Sequence, residues 1–266
     1  MNQDPVLFHR LDGVGEPVLL LNGIAMTTPS WEVFVAPLTV DHQLVRCDFR
    51  GQLLTPGPPP DDVGEHAEDL ARLLDHLELD SVHVAGTSFG GVVGALFAAR
   101  HPDRVRSLVC IASADGFDEQ MASEVARWRE ACLQSLEGPD RGHLSDVLEP
   151  VAYSPAYLES HREERVERRR QIAALPDAWF EGLIGLLDTA HSFSARREIA
   201  GIRCPVLVVA AELDAFVPLE RARAMAERIP GARFRVVEGA GHAVVVERPE
   251  LIAELILEFL ATDSHE

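Results

Sequence analysis

The sequence predicts an α/β fold in which helices cover both faces of a mostly parallel β-sheet. Three observations carry that expectation. Short apolar runs alternate with longer amphipathic stretches along most of the 266 residues. Most of these runs are continuous instead of alternating apolar with polar, the pattern of strands buried on both faces. From about residue 117 to residue 199 the rhythm changes: strand signals vanish and helical, Arg/Glu-rich sequence takes over.

Taken in order, residues 6–10 are strand-like and run into Leu11-Asp12-Gly13, a turn signal, before the chain re-enters at 17–21. The pair predicts an antiparallel hairpin at the sheet edge. Residues 43–47 form the next strand, and Pro56-Gly57-Pro58-Pro59-Pro60 is a stiff loop. Residues 62–79 predict a helix, with Val63, Ala67, Leu70, Leu73, Leu74 and Leu77 on one stripe and carboxylates opposite. Residues 82–85 are a strand, 90–100 a helix apolar nearly all round and so central and buried, and 107–111 another strand. Inside the 117–199 block lie Trp128, Tyr153, Tyr157, Trp179 and Phe180, while the charge run from Glu163 to Arg170 reads as a solvated helix face. Strands at 206–210 and 234–237 and helices at Leu219–Arg228 and 251–260 complete the chain. The expected organisation is a core of residues 1–116 and 200–266 carrying a helical cap at 117–199.

Hydrophobic residues make up 47% and charged residues 25%, an ordinary globular balance. The net charge is −19, which would repel phosphate backbones and anionic lipid surfaces and argues against nucleic-acid or membrane partners. All 24 basic residues are arginine, so Schiff-base chemistry and a P-loop, which need an ε-amine, are excluded. The opening Met1-Asn2-Gln3-Asp4-Pro5 has no basic region or long apolar run, so no signal peptide is expected. No apolar run reaches the about 18–20 residues of a bilayer span. Cys47, Cys110, Cys132 and Cys204 lack metal-ligand spacing and read as buried thiols, and a cytoplasmic location is expected.

The sharpest chemical signal is Gly86-Thr87-Ser88-Phe89-Gly90, set between a buried strand and an apolar helix. Glycines two residues either side of a serine remove the Cβ atoms that would clash in a tight turn exposing its hydroxyl. The helix that follows aims its N-terminus at the same spot, favouring developing negative charge. A serine nucleophile needs a base and a carboxylate to orient that base. Of eleven histidines, His242 stands in a glycine-rich loop, Gly239-Ala240-Gly241-His242-Ala243, after the last strand. His9, His42, His76, His143, His161, His191 and His265 lack such placement; His83, within a strand, and His101, before Pro102, read as structural. Asp214 ends the strand Val206-Leu207-Val208-Val209-Ala210-Ala211, giving chain order Ser, Asp, His. Asp115, after the preceding strand, is a rival acid, and Glu212 reads as a structural hydrogen-bonder.

With these motifs the chain resembles the α/β-hydrolase family over essentially its whole length, in particular small bacterial lid-bearing esterases and 3-oxoadipate enol-lactonase-like hydrolases. Val18-Leu19-Leu20-Leu21-Asn22-Gly23-Ile24-Ala25 corresponds to the strand and oxyanion loop, and Cys47-Asp48-Phe49-Arg50-Gly51-Gln52 to the family's Asp-x-Arg-Gly turn. Asn22 stands where the family usually has histidine, and Leu53-Leu54-Thr55 where it usually has Gly-x-Ser. The resemblance implies an eight-stranded sheet with the cap inserted after the sixth strand. It also implies an oxyanion hole made by the backbone N–H groups of Ile24 and Phe89, and no cofactor or metal.

The expected chemistry is acyl transfer on a small carboxylic ester or lactone. His242 takes the Ser88 proton, Asp214 holds the imidazole, and water then releases the acid. A histidine base predicts activity rising through neutral pH. Alternatives are a C–C bond hydrolase or thioesterase using the same three residues, or a non-catalytic ligand receptor. Expected pocket residues are Ala25, Trp31, Phe89, Trp128, Trp179, Phe180, Val217 and Ala243. They suggest an uncharged or partly hydrophobic substrate; a carboxylate-bearing one would need a guanidinium, for which Arg127 and Arg129 are the candidates.

Overall fold

Strands form where the sequence offers short runs of branched apolar residues, and helices where apolar residues recur every third or fourth position. A computed structural model describes residues 6–190 and 194–263; the opening residues 1–5, His191 and His265 lie outside the described residues. The chain runs β1 (His9–Asp12), β2 (Glu16–Leu21), α1 (Glu32–Leu38), β3 (His42–Cys47), α2 (Glu65–His76), β4 (Val82–Thr87), α3 (Phe89–Arg100) and β5 (Val105–Ile111). Five helices follow: α4 (Glu119–Glu137), α5 (His143–Ala152), α6 (Pro155–Ser160), α7 (Arg162–Ala173) and α8 (Asp177–Ala190). The chain then returns through β6 (Val206–Ala211), α9 (Leu219–Arg228), β7 (Arg233–Val237), α10 (Val244–Glu247) and α11 (Pro249–Asp263).

The strands make one sheet in the order β1-β3-β2-β4-β5-β6-β7, parallel except for β1. Successive strand side chains point to opposite faces, so the sheet divides its apolar residues between two cores. Val18, Leu20, Leu44, Val109, Ile111 and Val209 pack with Trp31, Phe34, Ile252 and Ile256 on the side of α1 and α11. Leu19, Leu21, Val45, Val84, Leu108 and Val208 face the other way, with residues of α2, α3 and α9. Burying each such side chain is worth about 1.5–3 kcal/mol, which explains why continuous apolar runs rather than alternating ones mark these strands.

The sheet corrects three expectations. The described residues form seven strands, not eight, and the helical segment therefore follows the fifth strand and not the sixth. The first two strands do not form a hairpin: β1 pairs antiparallel with β3, His9 opposite Cys47, while β2 lies between β3 and β4. Burial decides this. Val18 to Leu21 are fully buried and occupy an interior position with both edges paired, whereas polar, partly exposed His9–Asp12 suits an edge. Arg46, itself buried, secures the pairing by reaching Asp12 at 2.6 Å and Glu32 at 2.9 Å.

The helical segment is fastened to the core beneath it. Ala243 N–H donates to the Ala152 carbonyl at 2.7 Å. Glu247 accepts from the Ser154 N–H at 2.7 Å and the Ser154 hydroxyl at 2.6 Å, at the start of α6. Among the described residues no helix is long and apolar enough to cross a membrane, and no cluster of three or more His, Cys, Asp or Glu could hold a metal ion.

Candidate active site

β4 delivers Ser88 into a sharp turn with φ 51° and ψ −116°, a left-handed conformation that costs a non-glycine residue about 1–3 kcal/mol. The turn is possible because its neighbours lack side chains. A Cβ on Gly86 would collide with the Gly90 carbonyl, and one on Gly90 with the Leu21 carbonyl. The Ser88 N–H donates to Ile111 at 2.8 Å, and its carbonyl accepts from the Ser113 hydroxyl at 2.9 Å. α3 begins at the next residue, so the positive end of its dipole lies at the serine.

Two loops at the same rim of the sheet bring their side chains to this hydroxyl. His242 Nε2 lies 2.9 Å from Ser88 Oγ, and His242 Nδ1 lies 2.8 Å from Asp214 Oδ2. A carboxylate can only accept, so Nδ1 carries the proton and Nε2 is left to accept from the serine. Asp214 is held in turn: its Oδ1 accepts from the N–H groups of Phe216 at 2.9 Å and Val217 at 2.7 Å. The Phe216 ring meets the imidazole edge-on at 5.1 Å. The Gly241 N–H donates to Glu247 at 3.1 Å, fixing the loop just before His242. A buried carboxylate, an oriented imidazole and a strained hydroxyl in that order can deliver a proton from the hydroxyl to the ring.

The loop carrying Ile24 rests on a buried polar network. The Asn22 side-chain amide faces the Cys47 carbonyl, Asp48 and Gln52, and its oxygen accepts from the Trp31 indole N–H at 2.9 Å. Gln52 donates to the Gly23 carbonyl at 2.9 Å. Asn22, where the family usually has histidine, is thus a fully satisfied hydrogen-bonding hub. Among the described residues no protein acceptor takes the N–H of Ile24 or of Phe89.

Ser88 opens onto two cavities. A narrow one of about 30 Å³ is lined by Ile24, Phe89, Trp128, Phe216 and Val217. A wider one of about 250 Å³ lies against Ile24, Ala25, Trp128, His242 and Ala243, under α5 and α7. Ala25, Phe89, Trp128, Val217 and Ala243 each line one or both of these cavities. Trp31, Trp179 and Phe180 do not line either cavity: Trp31 is buried beneath the sheet, and Trp179 and Phe180 pack edge-on inside α8.

The rival carboxylates are occupied elsewhere. Asp115 is buried and ion-paired with Arg228, with Arg196 at 3.6 Å and Arg221 at 3.7 Å, while Glu212 accepts from the Gly239 N–H. Arg127 pairs with Glu124 and Arg129 with Asp188, both outside the cavities. The guanidinium that reaches the wider cavity is Arg168, accompanied by Glu149 and Tyr153. None of the three is among the expected pocket residues, and Arg168 belongs to the Glu163–Arg170 run whose charge pattern reads as a solvated helix face. Burial raises the Tyr153 phenol to about 12, so it stays protonated at neutral pH.

The family model described as the alpha/beta hydrolase fold matches residues 16–249. The chain belongs to the α/β-hydrolase family. Among α/β hydrolases it is 30% identical to an Azorhizobium caulinodans protein named as a carbamate hydrolase, RutD, over 96% of this chain and 95% of that one. A solved thermophilic esterase from Thermogutta terrifontis, with malate bound, is 28% identical, with a TM-score of 0.82 over 97% of this chain and 93% of that chain. The enol-lactonase of Burkholderia xenovorans LB400 shares the fold at a TM-score of 0.84 and 23% identity, over 96% of each chain.

Proposed function

We propose that this α/β hydrolase is a serine hydrolase that cleaves a small carboxylic ester or lactone through an acyl-enzyme. The observation that supports this reading most directly is the hydrogen-bonded run from Ser88 through His242 to Asp214 on the wall of an otherwise largely apolar cavity. Ser88 attacks the carbonyl while His242 takes its proton, and Asp214 stabilises the imidazolium. The Ile24 and Phe89 N–H groups receive the oxyanion, one such donor being worth about 3–4 kcal/mol in the transition state. His242 protonates the leaving group and then activates the water that frees the acid. Residues 117–199 act as a cap that shapes the substrate site.

A second reading keeps the same residues and changes the acyl group. Relatives named as carbamate hydrolases favour a carbamate, whose carbonyl passes through the same tetrahedral stage. Short-chain p-nitrophenyl esters and a fluorophosphonate probe test the common mechanism. Wild type turns over the esters and is labelled at Ser88, and Ser88→Ala lowers the rate by about 10³-fold or more. Undiminished turnover in the alanine variant, or labelling of another residue, refutes the serine mechanism. Comparing an ester, a lactone and a carbamate of matched size then separates the substrate classes.

A further inference from the structure

Apolar side chains make up most of the wider cavity's wall beyond Ser88 and His242, and two of the residues lining it carry buried hydrogen-bond donors without acceptors. Arg168 lines it, its Nη2 buried with no hydrogen-bond partner among the described residues. Trp128, 6% exposed, lines it too, and its indole N–H is likewise buried without an acceptor. The Arg168 Nε donates to Glu149 at 3.2 Å, and Arg165 donates to the other oxygen of the same carboxylate at 2.8 Å. Arg168 is the basic and Glu149 the acidic side chain of the cavity lining, and Arg165 stands outside it. The Arg168 guanidinium is also fixed in place, 4.6 Å above the Tyr153 ring. Unpaired buried donors are costly, and a planar guanidinium matches a carboxylate.

We propose that the natural substrate is an ester or lactone carrying a carboxylate, and that Arg168 selects it by pairing with that group while Ser88 attacks the carbonyl. The proposal rests on the serine-hydrolase reading and adds its substrate class. It assigns the anion-binding role to α7 instead of to Arg127 or Arg129, and it makes the pocket selective within a chain whose net charge otherwise repels anions.

The test uses matched ester pairs: monoethyl succinate, glutarate and adipate against ethyl butanoate, pentanoate and hexanoate, in which a methyl replaces the carboxylate. Wild type is expected to favour the anionic member of at least one pair by ~10- to 100-fold in kcat/KM. Arg168→Gln should abolish that preference by lowering kcat/KM for the anionic ester alone. Arg165→Gln, which touches the same Glu149 from outside the cavity, should retain it. A wild type that hydrolyses both members equally well, or an Arg168→Gln enzyme that keeps the preference, overturns the proposal while leaving the serine mechanism standing. Calorimetric titration of the Ser88→Ala protein with the three free dicarboxylates reads the site without turnover. Binding there that Arg168→Gln removes, in a wild type that hydrolyses no ester, would retain the anion site and reject the ester-hydrolase reading. Absence of binding in both proteins overturns the anion site.

Discussion

His66 on α2 offers a stability switch whose size follows from its surroundings. The ring is fully buried, edge-on to Phe49 at 5.2 Å and to Phe89 at 5.4 Å, and neither nitrogen has a hydrogen-bond partner among the described residues. Burial, reinforced by the charge of Arg50, lowers its pKa from 6.5 to about 3. Between those two values the unfolded chain binds a proton that the folded chain refuses, so stability falls as the pH falls through this window. One proton corresponds to up to ~1.4 kcal/mol per pH unit, or ~2 kcal/mol lost by about pH 5. Above pH 7 both states are neutral at this residue and the penalty vanishes. His66→Phe keeps an aromatic ring in the same apolar site and removes the titration. Urea unfolding of both proteins at about pH 7.5, 6 and 5 measures the difference in slope directly, since every other titrating group is shared. His66→Asn serves as a second non-titrating variant, so a packing defect in either does not decide the outcome. Parallel stability curves for wild type and both variants would show that the buried imidazole accepts its proton in the folded state, and the reasoning would fail.

Two further outcomes are expected. Gly86→Ala drives a methyl group into the Gly90 carbonyl and should cost at least ~1–3 kcal/mol while abolishing ester turnover, measured by thermal melts and p-nitrophenyl butyrate assays. In the native protein Ellman's reagent should modify at most one thiol readily, Cys204, and all four after denaturation. Cys47, Cys110 and Cys132 are buried, and burial pushes the Cys132 thiol up to about 12.

The parts legible in the sequence are those set by local chemistry. Continuous runs such as Val206-Leu207-Val208-Val209 have no stable placement except inside a covered sheet, and the glycines around Ser88 answer a steric need within five residues. The three side chains at the sheet rim were legible because each closes a strand or loop with its own signal. Pairing choices were not. Whether His9–Asp12 joins β2 or β3 depends on which edge remains free after distant strands have assembled. The aromatic residues misled for a related reason, since cores and pockets both favour them. Trp31 is held by Asn22, nine positions earlier, and no local pattern announces that bond. Arg168 was hidden in a run of charges because the face of α7 that meets the cavity is set by its packing on α5, not by its own spacing. His66 has no signal at all outside its three-dimensional surroundings.

The carboxylate of Glu247 joins two parts of the molecule that the chain keeps far apart. It grips the first turn of α6 and, with the same oxygen, the glycine preceding His242, while Ala243 is bonded straight to Ala152. These bonds tie the helices above to the loop that holds the imidazole. A displacement of α6 at this corner would be transmitted through them to that loop.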